Sequence, residues 1–251
     1  MSSFSATVDP AIFGAPLCAG GVCVSVARCA DEIKQAQALR GLAFGLSGPD
    51  ADDHDAGALH LLARDPSQAV LGTLRLMAHQ GSGLTRGYTG GLYDLRGLAA
   101  LPGCSLEMGR LCLHPHSRDP DLVRLMLAGV TRVADLTGAA RLLGCVSFSG
   151  TDVQRIAPAL ALLRARHLGP PALCAAPRAP HWIDLPQAAL DPQGLALLPT
   201  ALRFYLSLGA WVSDRAVIDT DLGTIHVLCV LEIDAMPQAR RERLRAMARG
   251  A

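Results

Sequence analysis

Residues 105–148 constrain the fold more than any other stretch. Ser105–Leu113 is a mostly apolar run of strand length, followed by a short loop and the pair Asp119-Pro120. Asp suits a helix N-cap, where its carboxylate accepts free backbone N–H groups. Proline suits the first helical position, where its missing N–H is not needed. Leu122, Leu125, Met126, Gly129, Val130, Val133 and Leu136 then recur on one helical face, and Gly138 supplies the stop. A second apolar run, Arg141–Phe148, follows at once. Strand, helix and strand in this order point to a mixed sheet with helices packed on it.

The flanking segments agree. Val22–Val26 reads as a short strand, and Ala30–Phe44 as a helix with Ile33, Ala36, Leu39 and Ala43 at helical spacing. Gly45–Gly57, rich in Gly and Asp, reads as a loop. Leu59–Arg64 and Ala69–Met77 read as strands joined at Asp65-Pro66-Ser67, residue types that favour a turn. Residues 78–103 read as a long glycine-bearing connection, Thr151–Arg166 and Pro199–Leu208 as helices, and 169–196 as a proline-rich wrapping loop. Trp211–Ile218 and Thr224–Ile233 are the last strands. Residues 1–20 read as a loose lead-in. No linker divides the rest, so 21–251 is expected to be one α/β domain. Half of the 251 residues are hydrophobic, enough for a sizeable core.

Charge and cysteine usage narrow the function classes. Lys and Arg total 23 against 22 Asp and Glu, so no global field draws nucleic acid. The dense C-terminal run Arg240, Arg241, Arg243, Arg245 reads first as the solvated face of a last helix, and second as a contact for an acidic partner or an anionic membrane surface. None of the eight cysteines forms a CxxC pair, which argues against a zinc ribbon or a thioredoxin-like motif, and Cys112 and Cys145 read as buried thiols. His114-Pro115-His116 lacks matching ligands elsewhere, so no metal is expected. With no secretion signal in Met1–Pro16 and no apolar run of membrane-spanning length, a reducing cytoplasm is the expected home.

Chemistry concentrates around Glu107-Met108-Gly109-Arg110. Residues three apart on a strand point to opposite faces, so Glu107 and Arg110 share a side only if the strand bulges near Gly109. Such a bulge would also free backbone N–H groups for the oxyanion of an attacked carbonyl. The bland alternative is an edge-strand ion pair. Arg75 lies inside the apolar run Val70–Met77 and needs a partner, because an unpaired buried charge is costly. Asp52, Asp53 and Asp55 are the candidates, although a solvated loop would explain them equally. Arg40 reads either as an exposed helix charge or as part of the same cluster. The helix start at Pro120 could hold a phosphate or pyrophosphate. No Walker motif, GxGxxG or GxSxG is present.

The ordered segments carry a resemblance. Leu106–Pro115 with Arg118-Asp119, then Leu143–Asp152, then Leu198-Pro199 and Tyr205–Ala210, resemble motifs of bacterial ornithine-lipid N-acyltransferases. Asp214, Ile218-Asp219 and Gly223-Thr224 continue the pattern, and Ala38–Phe44, Leu61-Leu62 and Gly72–Leu76 fit upstream. That family is GNAT-like and related to acyl-homoserine lactone synthases. The likeness spans roughly residues 22–233. The chain departs from it at Leu59 and at Ile225-His226, each in place of an acid that could hold an ammonium group.

The resemblance implies a GNAT-like fold with a mixed, largely antiparallel sheet flanked by helices. It also implies transfer of a 3-hydroxyacyl chain from acyl carrier protein to the α-amine of ornithine, with the thioester as donor and no further cofactor. Arg40, Phe44, Asp52, Asp55 and Arg75 match substrate-site positions, and Glu107 and Arg110 match catalytic ones. Glu107 is the expected base, and Arg75 or Arg110 could clamp the acceptor's carboxylate. Leu111, Cys112, Leu113 and Arg118 are candidate contacts for the carrier's pantetheine. Tyr205 is either a group near the departing thiol or a buried aromatic. The rival activities are acyl-homoserine lactone synthesis, acylation of another amine, and non-catalytic binding of acyl carrier protein. A peripheral contact with the inner membrane is the alternative to a wholly cytoplasmic address.

Overall fold

The structure is a computed structural model that describes residues 5–6, 8–117 and 119–249. Along the chain run β1 (Ser5–Ala6), β2 (Leu17–Ala19), β3 (Val22–Val26), α1 (Ala30–Phe44), β4 (Leu59–Arg64), β5 (Val70–Gln80), α2 (Tyr88–Leu92) and α3 (Arg96–Ala99). Then follow β6 (Cys104–Leu113), α4 (Pro120–Thr137), β7 (Ala139–Ser149), α5 (Val153–Arg166), β8 (Trp182–Asp184), α6 (Gly194–Leu197), α7 (Thr200–Ser207), β9 (Trp211–Asp219), β10 (Thr224–Glu232) and α8 (Gln238–Ala248). The fold is the mixed α/β type expected, with largely antiparallel strands flanked by helices. Two compact units make it up. One holds residues 5–79, 106–139 and the chain from 238 on; the other holds 80–105 and 140–237.

In the first unit the strands run β2-β3-β4-β5-β6, with β1 beside β5. The two faces of this sheet differ in kind. On one face lies α4, which starts at the Asp119 cap and ends at Gly138 in the left-handed conformation, as its sequence requires. A Cβ on Gly129 would come within 3.1 Å of Leu61 and 3.2 Å of Val24, so only glycine lets the helix settle this closely on β3 and β4. Cross-strand pairing of Leu61 with Leu74 extends the apolar face into β5. On the other face α1 packs Ala36 over Leu62 and Ala27. Alternation then gives this second face His60, Thr73, Arg75 and His79, all buried, and it is the chemically rich side.

In the second unit the order is β7-β10-β9-β8, each pair antiparallel. Its core gathers Leu84, Tyr93, Leu95, Leu98, Leu143, Val217, Leu228 and Val230. The connection 78–103 is therefore not plain loop: α2 and α3 form inside it and cover the sheet. Its glycines hide the helices from a periodicity reading.

The N-terminal segment also departs from expectation. Asp9 caps a short helical turn, Phe13 and Leu17 are buried, and Arg132 of α4 donates to the carbonyl of Ala15 at 2.6 Å. Residues 9–19 are thus part of the first unit, not a loose lead-in. Cys18 and Cys23, opposite one another in the β2–β3 pair, are joined as a disulfide. Among the described residues no helix is long and apolar enough to cross a membrane.

Gly41 on α1 fixes the loop that follows. A Cβ there would lie 2.0 Å from the carbonyl oxygen of Gly48. Gly41→Ala should therefore push the 45–57 loop off the helix and destabilise the protein by about 1–3 kcal/mol, the usual scale of overpacking. Urea unfolding at equilibrium measures this; an unchanged midpoint would show that the loop yields freely.

Candidate active site

The charged face of the first unit is built by three elements. Helical spacing sets Gln37, Arg40, Gly41 and Phe44 of α1 on one side. The loop after α1 doubles back over that side: Leu46 donates to the Gly41 carbonyl at 2.9 Å and Asp50 to the Gln37 carbonyl at 3.0 Å. This brings Asp50, Asp52 and Asp55 over Arg40, Arg75 of β5 and Arg110 of β6.

Asp55 is the hub. Its carboxylate accepts from Arg40 Nη1 and Nη2 at 2.8 and 2.7 Å, from Arg75 Nη1 at 2.7 Å and from Gln37 at 2.9 Å. Burial alone would push its carboxyl up, but hydrogen bonds from Arg40, Gln37 and Arg75 overturn that and hold it well below the usual carboxylate range. Arg40 also meets the Asp50 carboxylate at 2.8 Å. Arg75 pairs with Asp52 as well as Asp55. Burial likewise opposes ionisation of Asp52, and the Arg75 hydrogen bond and charge outweigh it. His60, cross-strand from Arg75, places Nε2 3.0 Å from the Asp55 carbonyl, and burial lowers its pKa.

Arg110 closes the cluster from β6, donating Nε to Asp50 at 2.7 Å and Nη2 to Asp52 at 3.2 Å, with Phe44 of α1 5.8 Å from its guanidinium. Its backbone is left-handed, φ 56°, a conformation that costs a non-glycine residue about 1–2 kcal/mol. This break in β6 resolves the spacing problem. Glu107 bonds His79 of β5 at 2.8 Å, on the face that carries Arg75, and Arg110 reaches Asp52 on the same face. Residues three apart thus share a side, as a bulge near Gly109 requires. A Cβ at Gly109 would meet nothing within 4 Å, so there is open space beside the break.

Several expectations need correction. Arg40 is fully buried, not an exposed helix charge, and of the three candidate aspartates Asp52 and Asp55 turn in to the arginines while Asp53 is exposed. Arg75 is also buried with two carboxylates on it, which makes it a structural anchor more than an open clamp for a substrate carboxylate. Asp52 and Arg110 keep 23% and 9% of their side chains exposed, so they form the accessible edge of the cluster. Burial pushes the Cys112 thiol up to about 12, which removes it as a thiolate nucleophile. Leu113 packs against Gly72, and Leu111 is half-buried. Arg118 lies outside the described residues. Tyr205 is buried in α7 of the other unit, and burial raises its phenol far above the ordinary value. Asp50, His60 and His79 were missed. For His79 the signal was present, since it stands four residues after Arg75 on one strand and so shares its face.

A family model described as an acetyltransferase (GNAT) domain matches residues 39–128, the stretch holding the cluster, Glu107 and the break at Arg110. The chain is an acyltransferase of the GNAT class. A protein from Rhodobacter capsulatus named L-ornithine N(alpha)-acyltransferase is 30% identical over 240 residues, 87% of this chain and 93% of that one. One of the same name from Rhizobium meliloti is 34% identical over 233 residues, 83% of this chain and 79% of that one. The chain belongs to the L-ornithine N(alpha)-acyltransferase family. Among solved structures, FeeM, an N-acyl amino acid synthase from uncultured soil microbes, is similar at 11% identity with a TM-score of 0.45, over 92% of this chain and 98% of that one.

Asp55→Asn should be costly, because it takes one of two carboxylates from each of the buried Arg40 and Arg75; breaking a buried ion pair from one side costs about 3–5 kcal/mol. The folded-state pKa of Asp55 lies below its unfolded value near 4. Its stabilisation is therefore complete above that value and is lost as pH falls toward the folded value. Melting temperature followed downward from pH 6 should drop more steeply for the natural protein than for Asp55→Asn. Parallel curves would exclude Asp55 as the acid-sensitive group.

Proposed function

We propose that this enzyme transfers a 3-hydroxyacyl chain from the thioester of acyl carrier protein to the α-amine of ornithine, releasing lyso-ornithine lipid. The observation that carries the reading is Glu107, a buried carboxylate three residues from the break at Arg110. The names of the Rhodobacter capsulatus and Rhizobium meliloti relatives support ornithine as acceptor.

An ammonium cannot attack a carbonyl, so the amine must first lose a proton, and Glu107 takes it. The amine lone pair then forms the C–N bond, and backbone N–H groups at the break in β6 hold the carbonyl oxygen as it gains charge. When the C–S bond breaks, its electron pair leaves with the sulfur, which takes up the amine's second N–H proton. Asp52, the more exposed acid of the cluster, suits the cationic side chain of the acceptor. Arg110 orients Asp52, and Arg40, Asp55, Arg75 and Phe44 hold the frame. Leu111, Cys112 and Leu113, which follow the break on β6, are the candidate contacts for the carrier's pantetheine, and the thioester is the sole co-reactant. The reaction belongs in the cytoplasm, with the arginine-rich face of α8 as a peripheral contact for anionic lipid.

Two measurements test this. Lipid extracts of cells expressing the chain should contain lyso-ornithine lipid by mass spectrometry; a diffusible lactone or a different acylated amine would assign another acceptor. Glu107→Gln should leave the melting temperature unchanged and lower single-turnover acyl transfer by about a hundredfold or more. A normal rate per folded molecule would remove Glu107 from the chemistry.

A further inference from the structure

Glu107, the proposed base, has a buried histidine as its partner. His79 lies near the end of β5, 3% exposed, with Nε2 2.8 Å from Glu107 Oε2; Glu107 is itself 1% exposed. The other ring nitrogen, Nδ1, is buried and has no hydrogen-bond partner among the described residues. Such an arrangement is expensive to maintain. A buried polar atom left unsatisfied costs about 1–3 kcal/mol, and an apolar residue in this strand would avoid it.

The 2.8 Å separation requires a proton between nitrogen and oxygen, since two bare acceptors would repel. If the ring's single proton sat on Nδ1, it would be a buried donor with nothing to accept it, and Glu107 would have to supply the bridging proton and lose its basicity. With the proton on Nε2, the ring donates to the carboxylate and Glu107 stays competent as a base. A carboxylate taken out of water needs such a donor to remain ionised.

We propose that His79 is a positioning residue for acyl transfer. As a neutral imidazole protonated on Nε2, it fixes the Glu107 carboxylate in the orientation that receives the proton of the acceptor amine. The inference rests on Glu107 acting as the base. His79 itself neither gains nor loses a proton: one proton of the ammonium passes to Glu107, the second N–H proton ends on the thiolate that leaves, and Glu107 returns its proton to solvent. A base held in one rotamer meets the amine more often in a reactive pose, and misplacement of a catalytic group by about 1 Å can cost a hundredfold in rate.

The test uses the full-length protein with His79→Leu and His79→Gln. The Gln side-chain amide can donate to Glu107 from nearly the place of Nε2, yet it cannot titrate. We expect His79→Leu to lower kcat by about tenfold to a hundredfold with little change in KM for ornithine, and His79→Gln to recover most of that loss. If Gln is no better than Leu, the ring moves protons itself and positioning is wrong. If both variants only lower the melting temperature and keep the natural rate per folded molecule, His79 is structural and the proposal fails.

A second readout is independent of substrate. Two-bond ¹⁵N–¹H spectra of histidine-labelled protein should show His79 as the Nε2–H tautomer, with its ring signals shifted in Glu107→Gln. An Nδ1–H tautomer, or an imidazolium at neutral pH, overturns the proposal. Because this signal needs no acceptor, failure of the natural enzyme to acylate ornithine would refute the proposed substrate while leaving the His79–Glu107 arrangement to be decided by the spectra.

Discussion

The Asp55 carboxylate, held between Arg40 and Arg75, is the interaction on which the first unit depends. Arg40 comes from α1, Arg75 from β5 and Asp55 from the loop between α1 and β4, so one carboxylate ties helix, sheet and loop together. Arg40 and Arg75 are buried side chains in places where hydrophobic residues would ordinarily sit. Well-packed apolar residues often match or exceed the stability of a buried ion pair, so such a cluster is poorly explained by stability alone. What it supplies is position. With Asp55 fixed, the loop presents Asp50 and Asp52 to Arg110, and Arg110 is held in a backbone conformation that non-glycine residues avoid. The break in β6 thus has its support in a charge pair two elements away.

That chain of dependence links the fold to the chemistry. The apolar face under α4 is ordinary packing, and its closeness follows from Gly129. The opposite face gives up that packing for three guanidinium groups and three carboxylates, Arg40, Arg75 and Arg110 against Asp50, Asp52 and Asp55. These charges balance, so the cluster is polar but carries no net charge of its own. Glu107 and His79 lie on the same face but are bonded to each other. The carboxylate proposed to accept protons is thereby kept apart from the carboxylates that serve as scaffold.

Much of this was legible in the sequence, for identifiable reasons. The α4 boundaries follow from Asp119-Pro120 and Gly138, where local backbone chemistry decides alone. Helix α1 and strand β4 were bounded as found because periodicity and flanking turn residues agreed. Arg75 stood out because a guanidinium inside an apolar strand must have a partner. The helices within 78–103 escaped because α2 and α3 span only 88–92 and 96–99, too short to show a period, and their burial comes from tertiary contacts. Residues 9–19 looked loose because Phe13 and Leu17 are isolated apolar residues whose burial needs the surface of α4 and β3. Arg40 looked solvent-facing for a similar reason: its carboxylate partners lie 10 and 15 residues away, and only the fold of the loop over Gly41 brings them in. His79 was readable in principle, from strand parity with Arg75, but histidine in an apolar strand carries no signal by itself.

The shared aspartates have a bearing on how such a chain can change over generations. Asp52 and Asp55 each serve two arginines, and Asp50 serves Arg40 and Arg110, so replacing any one residue takes a partner from two others. Energies in a network of this kind do not add, and a lone replacement costs more than its share of a joint one. Drift at these six positions is therefore blocked one step at a time and open only through concerted replacement of partners. The cluster acts as a ratchet on descent, keeping the local geometry while the surrounding surface, where substitutions are close to neutral, is free to diverge.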